Sequence, residues 1–178
     1  EDETNPLNVY GKTKREGEEI LMKLKPDSII IRTSRVYSKF NNNFLTNTVK
    51  KIIEQDEVFV VNDQYGAPTS CYSLASCICD FLNYNYTSSG IYHFSDEGPC
   101  SWFQFALKLN KLLIESKNFN VNEIKVKPIS TSEINDIVKR PKFSAFSLKK
   151  VKERGVPVWE WEDALEYYFE NFIENPQF

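Results

Sequence analysis

The sequence predicts an α/β protein built around a parallel sheet. Three observations carry this expectation. Ile29-Ile30-Ile31 and Val58-Phe59-Val60-Val61 are apolar runs of strand length without polar alternation, as in strands covered on both faces. Between them lie stretches whose apolar residues recur three and four apart, the helical period. Pro, Gly and Asn punctuate the boundaries. Strands alternating with helices along a chain are the pattern of α/β folds.

The elements follow in order. Pro6 precedes a helix over Asn8 to Lys25, with apolar Leu7, Ile20, Leu21 and Leu24, and Pro26-Asp27 stops it. Ser28 to Thr33 is a strand. Phe44 to Gln55 is a helix with Leu45, Val49, Ile52 and Ile53 on one stripe, and Glu57 to Val61 is a second buried strand. Asn62 to Ser70 is a long polar turn carrying Gly66 and Pro68. A helix over Tyr72 to Leu82 and a strand over Ile91 to Phe94 come next. Ser101 caps a helix reaching Glu115, with Phe105, Leu109 and Leu112 turned inward. Glu123 to Ile129 is a third strand. A short helix at Leu148 to Arg154 and an aromatic helix at Glu160 to Ile173 close the chain.

Composition narrows the function. The 178 residues carry 22 Lys+Arg against 25 Asp+Glu, a net charge of −3, with 41% hydrophobic residues. This is a globular composition. Its mild acidity argues against a general nucleic-acid binder or a protein of anionic membrane surfaces. No apolar run approaches the roughly 18 residues of a membrane span. Cys71, Cys77, Cys79 and Cys100 have no CxxC spacing, and His93 is the only histidine. No metal site is expected; reduced thiols in the cytoplasm are. Asn85-Tyr86-Thr87 reads as an accidental glycosylation acceptor. The chain opens on Glu1-Asp2-Glu3 without Met or signal peptide, so a piece of a longer protein is expected.

The strongest local chemistry lies in Tyr10-Gly11-Lys12-Thr13-Lys14. Tyr10 and Lys14 are four residues apart and share a helix face. An ammonium beside a phenol favours phenolate and lowers its pKa. Such a phenol can protonate an alkoxide formed by hydride transfer to a carbonyl. Gly11-Lys12-Thr13 also imitates the end of a phosphate-binding loop, but that motif needs Gly where Pro6 stands.

The stretch Asn5 to Lys14, followed by Glu16-Gly17-Glu18, resembles the active-site helix of extended short-chain dehydrogenases/reductases. Within these it is most similar to the dTDP-4-dehydrorhamnose reductase family. Arg32-Thr33-Ser34, Val36-Tyr37, Asn43-Phe44, Tyr92-His93-Phe94, Ser101-Trp102 and Arg140-Pro141 follow in that family's order. Val60-Val61-Asn62-Asp63-Gln64-Tyr65-Gly66-Ala67-Pro68-Thr69-Ser70 is the most specific match.

The resemblance implies the C-terminal part of a Rossmann-like, doubly wound parallel sheet plus a small mixed substrate-binding lobe. Residues 1–90 would hold the remainder of the Rossmann-like domain and residues 91–178 mainly the lobe. Tyr10 would protonate the C4 oxygen of a dTDP-linked 4-keto-6-deoxy sugar, and Lys14 would lower the Tyr10 pKa and bind the nicotinamide ribose. NADPH or NADH would supply hydride, on the way to dTDP-L-rhamnose for cell-surface polysaccharide. Arg32, Thr33 and Ser34 would lie beside the cofactor. Arg35, Asn43, Gln64, Thr69 and Arg140 would bind the substrate.

Each of these positions also has a plainer reading. Thr33 and Ser34 end a strand, Asn43 caps a helix, Gln64 and Thr69 shape a loop, and Arg140 makes a surface ion pair. His93, Trp102 and Phe105 read as packing residues. Arg35 stands where the family usually has Trp.

No pair of the six glycines opens a G-x-G-x-x-G, so the N-terminal dinucleotide-binding half of the resembled fold is absent. The chain alone is expected to be inactive. Its open sheet edge would be completed by that half, by another polypeptide or by a second copy. The alternative to a reductase is a non-catalytic regulatory or binding subunit on the same fold, as in the beta subunit of methionine adenosyltransferase.

Overall fold

The computed structural model describes residues 3–83, 89–116, 119, 125–134, 138 and 140–173. Helix α1, Val9–Leu24, starts at Asn8, whose side chain accepts from the Gly11 amide at 2.9 Å. Strand β1 is Ile29–Arg32 and β2 is Val36–Tyr37. Helix α2, Phe44–Glu54, is followed by β3, Glu57–Val61. The long turn contains two short strands, β4 (Tyr65–Gly66) and β5 (Thr69–Ser70), and leads into α3, Cys71–Asn83. Then come β6 (Gly90–His93), β7 (Cys100–Ser101), α4 (Trp102–Glu115) and β8 (Lys125–Ile129). A 3-10 turn at Thr131–Glu133, α5 (Lys149–Lys152) and α6 (Trp161–Phe172) complete the order. The Asn85-Tyr86-Thr87 motif and the first two residues of the expected third strand lie outside the described residues.

Among the described residues three of the four strand pairings are parallel, as expected for an α/β fold. β1 pairs with β6 from Ile29↔Gly90 to Arg32↔His93, and β3 with β8 from Glu57↔Lys125 to Val61↔Ile129. β2 pairs with β5 in parallel, and β4 with β7 antiparallel. Two expectations about burial are corrected. All four residues of β1 are half-buried rather than sealed, because β6 is its one strand neighbour among the described residues. β3 alternates instead of burying both faces: Val58 and Val60 turn inward while Phe59 is 53% exposed, with Lys127 Nζ 5.6 Å from its ring.

The apolar residues form two clusters. In one, α2, α4 and α6 pack around β3, with Leu45, Val49, Leu109, Leu113 and Leu165 fully sealed. Tyr37 enters it edge-on to Phe105 and Tyr168 at 5.2 and 5.6 Å. In the other, Cys77 and Phe81 of α3 and Val151 of α5 meet Tyr92 of β6, with Ile29 and Ile31 against them. β6 joins β1 by hydrogen bonding, and α2 and β3 pack with α4 and α6.

Helix α1 stands apart from both clusters, with no buried residue. Val9, Ile20, Leu21 and Leu24 are exposed, Val9 at 74% and Leu24 at 75%. On a 3.6-residue period they fall on one stripe with Tyr10. All four cysteines are free thiols. Among the described residues no cluster of His, Cys, Asp and Glu is set to hold a metal, and no helix is long and apolar enough to cross a membrane.

Candidate functional site

Tyr10 and Lys14 emerge side by side from the first turns of α1. Lys14 Nζ lies 5.5 Å from the Tyr10 ring centroid, and Tyr10 is 71% exposed. Gly11 sits between them for a local reason: a Cβ there would lie 3.0 Å from Pro6 Cβ. The helix is pinned to the sheet by a two-pronged contact. Arg32 donates from Nε to Glu18 Oε1 at 2.8 Å and from Nη2 to Glu18 Oε2 at 2.5 Å. A guanidinium fork on a carboxylate fixes orientation as well as distance. Arg32 Nη1 also lies 3.4 Å from His93 Nε2, and the His93 ring stacks on Phe146 at 4.6 Å. Arg32 therefore anchors the helix that carries Tyr10, and His93 packs as a strand residue.

Beyond β1 the chain zips onto the long turn. Ser34 Oγ donates to Ala67 O at 2.8 Å, Thr69 Oγ1 to Ser34 O at 2.6 Å, and Thr33 Oγ1 to Thr69 Oγ1 at 3.4 Å. Arg35 has φ +48°, left-handed for a residue with a side chain. Its guanidinium donates to Cys100 O at 2.9 Å, Gln64 O at 3.0 Å and Gly66 O at 3.4 Å, and lies 4.2 Å over the Trp102 ring. Burial lowers the Arg35 pKa from its ordinary value. The Trp102 ring is 4.1 Å from that of Phe44, the residue after Asn43. Asn43 caps α2, accepting from the Leu45 and Thr46 amides while Thr46 Oγ1 accepts from the Asn43 amide.

The far end of the loop is fastened too. Asp63 Oδ1 accepts from the Thr131 amide and hydroxyl at 2.9 and 2.6 Å, which holds its carboxyl below the usual carboxylate range. Gln64 Nε2 donates to Thr131 Oγ1 at 3.0 Å. Tyr65 exchanges backbone bonds with Lys142 and Ser144, which tie down the segment beginning at exposed Arg140. Thr33, Ser34, Arg35, Gln64 and Thr69 thus share one hydrogen-bonded cluster. Asn43 joins it through Phe44 and Trp102, and Arg140 through its own segment. Tyr10 and Lys14 connect through the Glu18–Arg32 fork. The side chains of Gln64 and Thr69 are buried, at 6% and 0% exposure, and engaged within the protein.

Sequence reasoning missed Asp96. It is fully buried just past β6, with Oδ2 accepting from the Ser70 amide at 2.8 Å and Oδ1 unpartnered. Burial pushes its carboxyl up to about 6. Beside it opens a cleft of about 450 Å³ lined by Ala67, Gly98, Phe146, Lys149 and Lys152. In the sequence, Ser95-Asp96-Glu97-Gly98 carries only the signal of a polar turn.

Residues 1–174 match the family described as the RmlD substrate binding domain. The chain belongs to this family. Among similar proteins, the spore coat polysaccharide biosynthesis protein SpsK of Bacillus subtilis (strain 168) is 34% identical over 170 residues. That match covers 96% of this chain and 56% of SpsK. The dTDP-4-dehydrorhamnose reductase of Aggregatibacter actinomycetemcomitans is 34% identical over 169 residues, covering 92% of this chain and 57% of the enzyme. The crystal structure of the Bacillus anthracis dTDP-4-dehydrorhamnose reductase in complex with NADP overlays with a TM-score of 0.86 at 33% identity, covering 95% of this chain and 57% of that one. A UDP-glucuronic acid 4-epimerase from Bacillus cereus, 17% identical with a TM-score of 0.72, shares the fold alone. The chain spans little more than half the length of these relatives. Its architecture is accordingly part of the Rossmann-type reductase fold.

Proposed function

We propose that this chain is the C-terminal half of a cytoplasmic dTDP-4-dehydrorhamnose reductase, acting on the 4-keto group of a dTDP-linked 6-deoxy sugar. The observation that carries the reading is the Tyr10–Lys14 pair on the open face of α1, in a chain that matches the RmlD family over residues 1–174.

The pair fits a nicotinamide cofactor. Among the described residues neither the Tyr10 hydroxyl nor Lys14 Nζ has a hydrogen-bond partner in the protein, so both are free to reach a ribose hydroxyl and a sugar oxygen. NADPH or NADH would supply the hydride that reduces C4. Tyr10 donates the proton to the C4 oxygen. Lys14, with Nζ 5.5 Å from the ring centroid, offsets the charge of the phenolate this leaves. Arg32 holds α1 at the angle that presents both groups. Thr33 and Ser34, at the end of β1, border the cofactor. Asn43, Gln64 and Thr69 shape the substrate wall, and Arg140, on the surface, supplies positive charge near the diphosphate.

The test is cofactor oxidation by the purified longer protein containing this chain. NADPH or NADH should be consumed with dTDP-4-dehydrorhamnose and not without it. No consumption with either cofactor would remove the reading. The open apolar stripe of α1 favours a second reading, a non-catalytic subunit that docks a partner there. That reading expects a stoichiometric complex whose function is indifferent to Tyr10→Phe.

A further inference from the structure

Arg35 holds together three parts of the site that are far apart in sequence. Its guanidinium donates to the carbonyls of Gln64 and Gly66 in the long loop and of Cys100 in β7. Its own carbonyl accepts from the Thr69 amide at 3.3 Å. Its flat face lies 4.2 Å from the Trp102 ring at the head of α4. A planar fork with five donors can serve acceptors in several directions at once; a lysine ammonium reaches them as a single point. Among the described residues no carboxylate pairs with Arg35, so the acceptors of its cation are backbone oxygens.

The loop is moulded to this side chain. At Gly66 a Cβ would stand 2.7 Å from Arg35 Nε and 2.7 Å from Ser144 Oγ, so the backbone closes around the guanidinium only because nothing projects there. Arg35 itself sits at φ +48°, where a side chain is disfavoured, and the surrounding contacts keep it there. With Gln64 and Thr69 sealed and engaged inward, the surface the loop shows to a ligand is set by where its backbone lies.

We propose that Arg35 is the positioning residue of the substrate wall: it locks the Gln64–Ser70 loop to the head of α4, and this lock sets how tightly the thymidine diphosphate part of the substrate binds. The proposal rests on the reductase reading for the identity of that ligand. It replaces a direct Arg35–substrate contact with an action through the loop. Its lowered pKa agrees with a cation kept from water by the segments it joins.

The experiment uses the full-length protein that carries this chain, with Arg35→Lys and Gly66→Ala compared to wild type. The first keeps the charge and removes the fork; the second displaces the fork and keeps Arg35. dTDP affinity is measured by calorimetry, NADPH affinity by fluorescence, and backbone order by hydrogen exchange. Both variants should weaken dTDP at least tenfold and leave NADPH within twofold. Exchange should rise in residues 62–70 and 99–102 but not in α2. Unchanged dTDP affinity in both variants overturns the proposal, as does an equal loss of both ligands with exchange raised throughout the chain. Turnover of a dTDP-linked keto sugar by wild type reports separately on the reductase reading: a wild type that binds dTDP without reducing the sugar sinks that reading and leaves the lock to be judged by the two variants.

Discussion

Asp96 is a buried carboxylic acid, one oxygen on the Ser70 amide and the other without a hydrogen-bond partner among the described residues. Burial penalises its charged form, so its pKa rises to about 6 from 3.8. The folded protein therefore binds this proton more readily than the unfolded chain does. Stability from this group is fullest below about pH 4 and falls as pH rises through about 6, after which it is flat. The shift corresponds to about 3 kcal/mol of destabilisation at neutral pH. Asp96→Asn keeps an acceptor for the Ser70 amide and removes the charge. Melts from about pH 4.5 to about 7.5, spanning the shifted pKa, should show the Asp96→Asn variant more stable than wild type at the upper end. The difference should narrow toward the lower end. A constant difference across that range would contradict this account of the acid. At the same scale, Arg35 and Gly66 show what sequence alone hides. The pair is 31 residues apart, and only the closed loop reveals that one residue's missing side chain makes room for the other's guanidinium.

Elements were legible wherever their causes were local. Asn8 and Pro26 bracket α1, Asn43 opens α2 and Ser101 opens α4, and each helix begins where its capping side chain says it should. Asn43 also shows how a site residue can have a structural occupation. Its side chain accepts two helix amides and donates to the carbonyls of Ser38 and Phe40. Asn43→Ala should cost about 1 kcal/mol of stability by denaturant titration, the usual loss of an N-cap. A stability change near zero, with a large rise in substrate KM, would make it a ligand contact instead. Strand burial was not legible, because it depends on what lies across the sheet. β3 looks like a two-faced core strand until Phe59 is seen open to solvent, and β1 until its one strand neighbour among the described residues is seen.

At the scale of the whole molecule, the described residues pack into two apolar clusters, with α1 outside both. The relatives are nearly twice as long, and α1 presents Val9, Ile20, Leu21 and Leu24 to solvent on the stripe that bears Tyr10. On the proposed reductase reading, covering that stripe and enclosing the reacting centre are one event. The 178-residue chain by itself should bind a hydrophobic dye and self-associate, and should leave NADPH fluorescence unchanged. On the proposed reading, adding the N-terminal half of the reductase should reverse all three. A strictly monomeric chain that excludes the dye would show the stripe to be an ordinary solvated face.

The most direct measurement of the central claim compares wild type with Tyr10→Phe in the full-length protein, following cofactor oxidation with dTDP-4-dehydrorhamnose. A phenol that delivers the proton predicts a kcat lowered at least a hundredfold, with dTDP affinity within a few-fold of wild type. Equal turnover by the two proteins would mean that Tyr10 does not carry the chemistry.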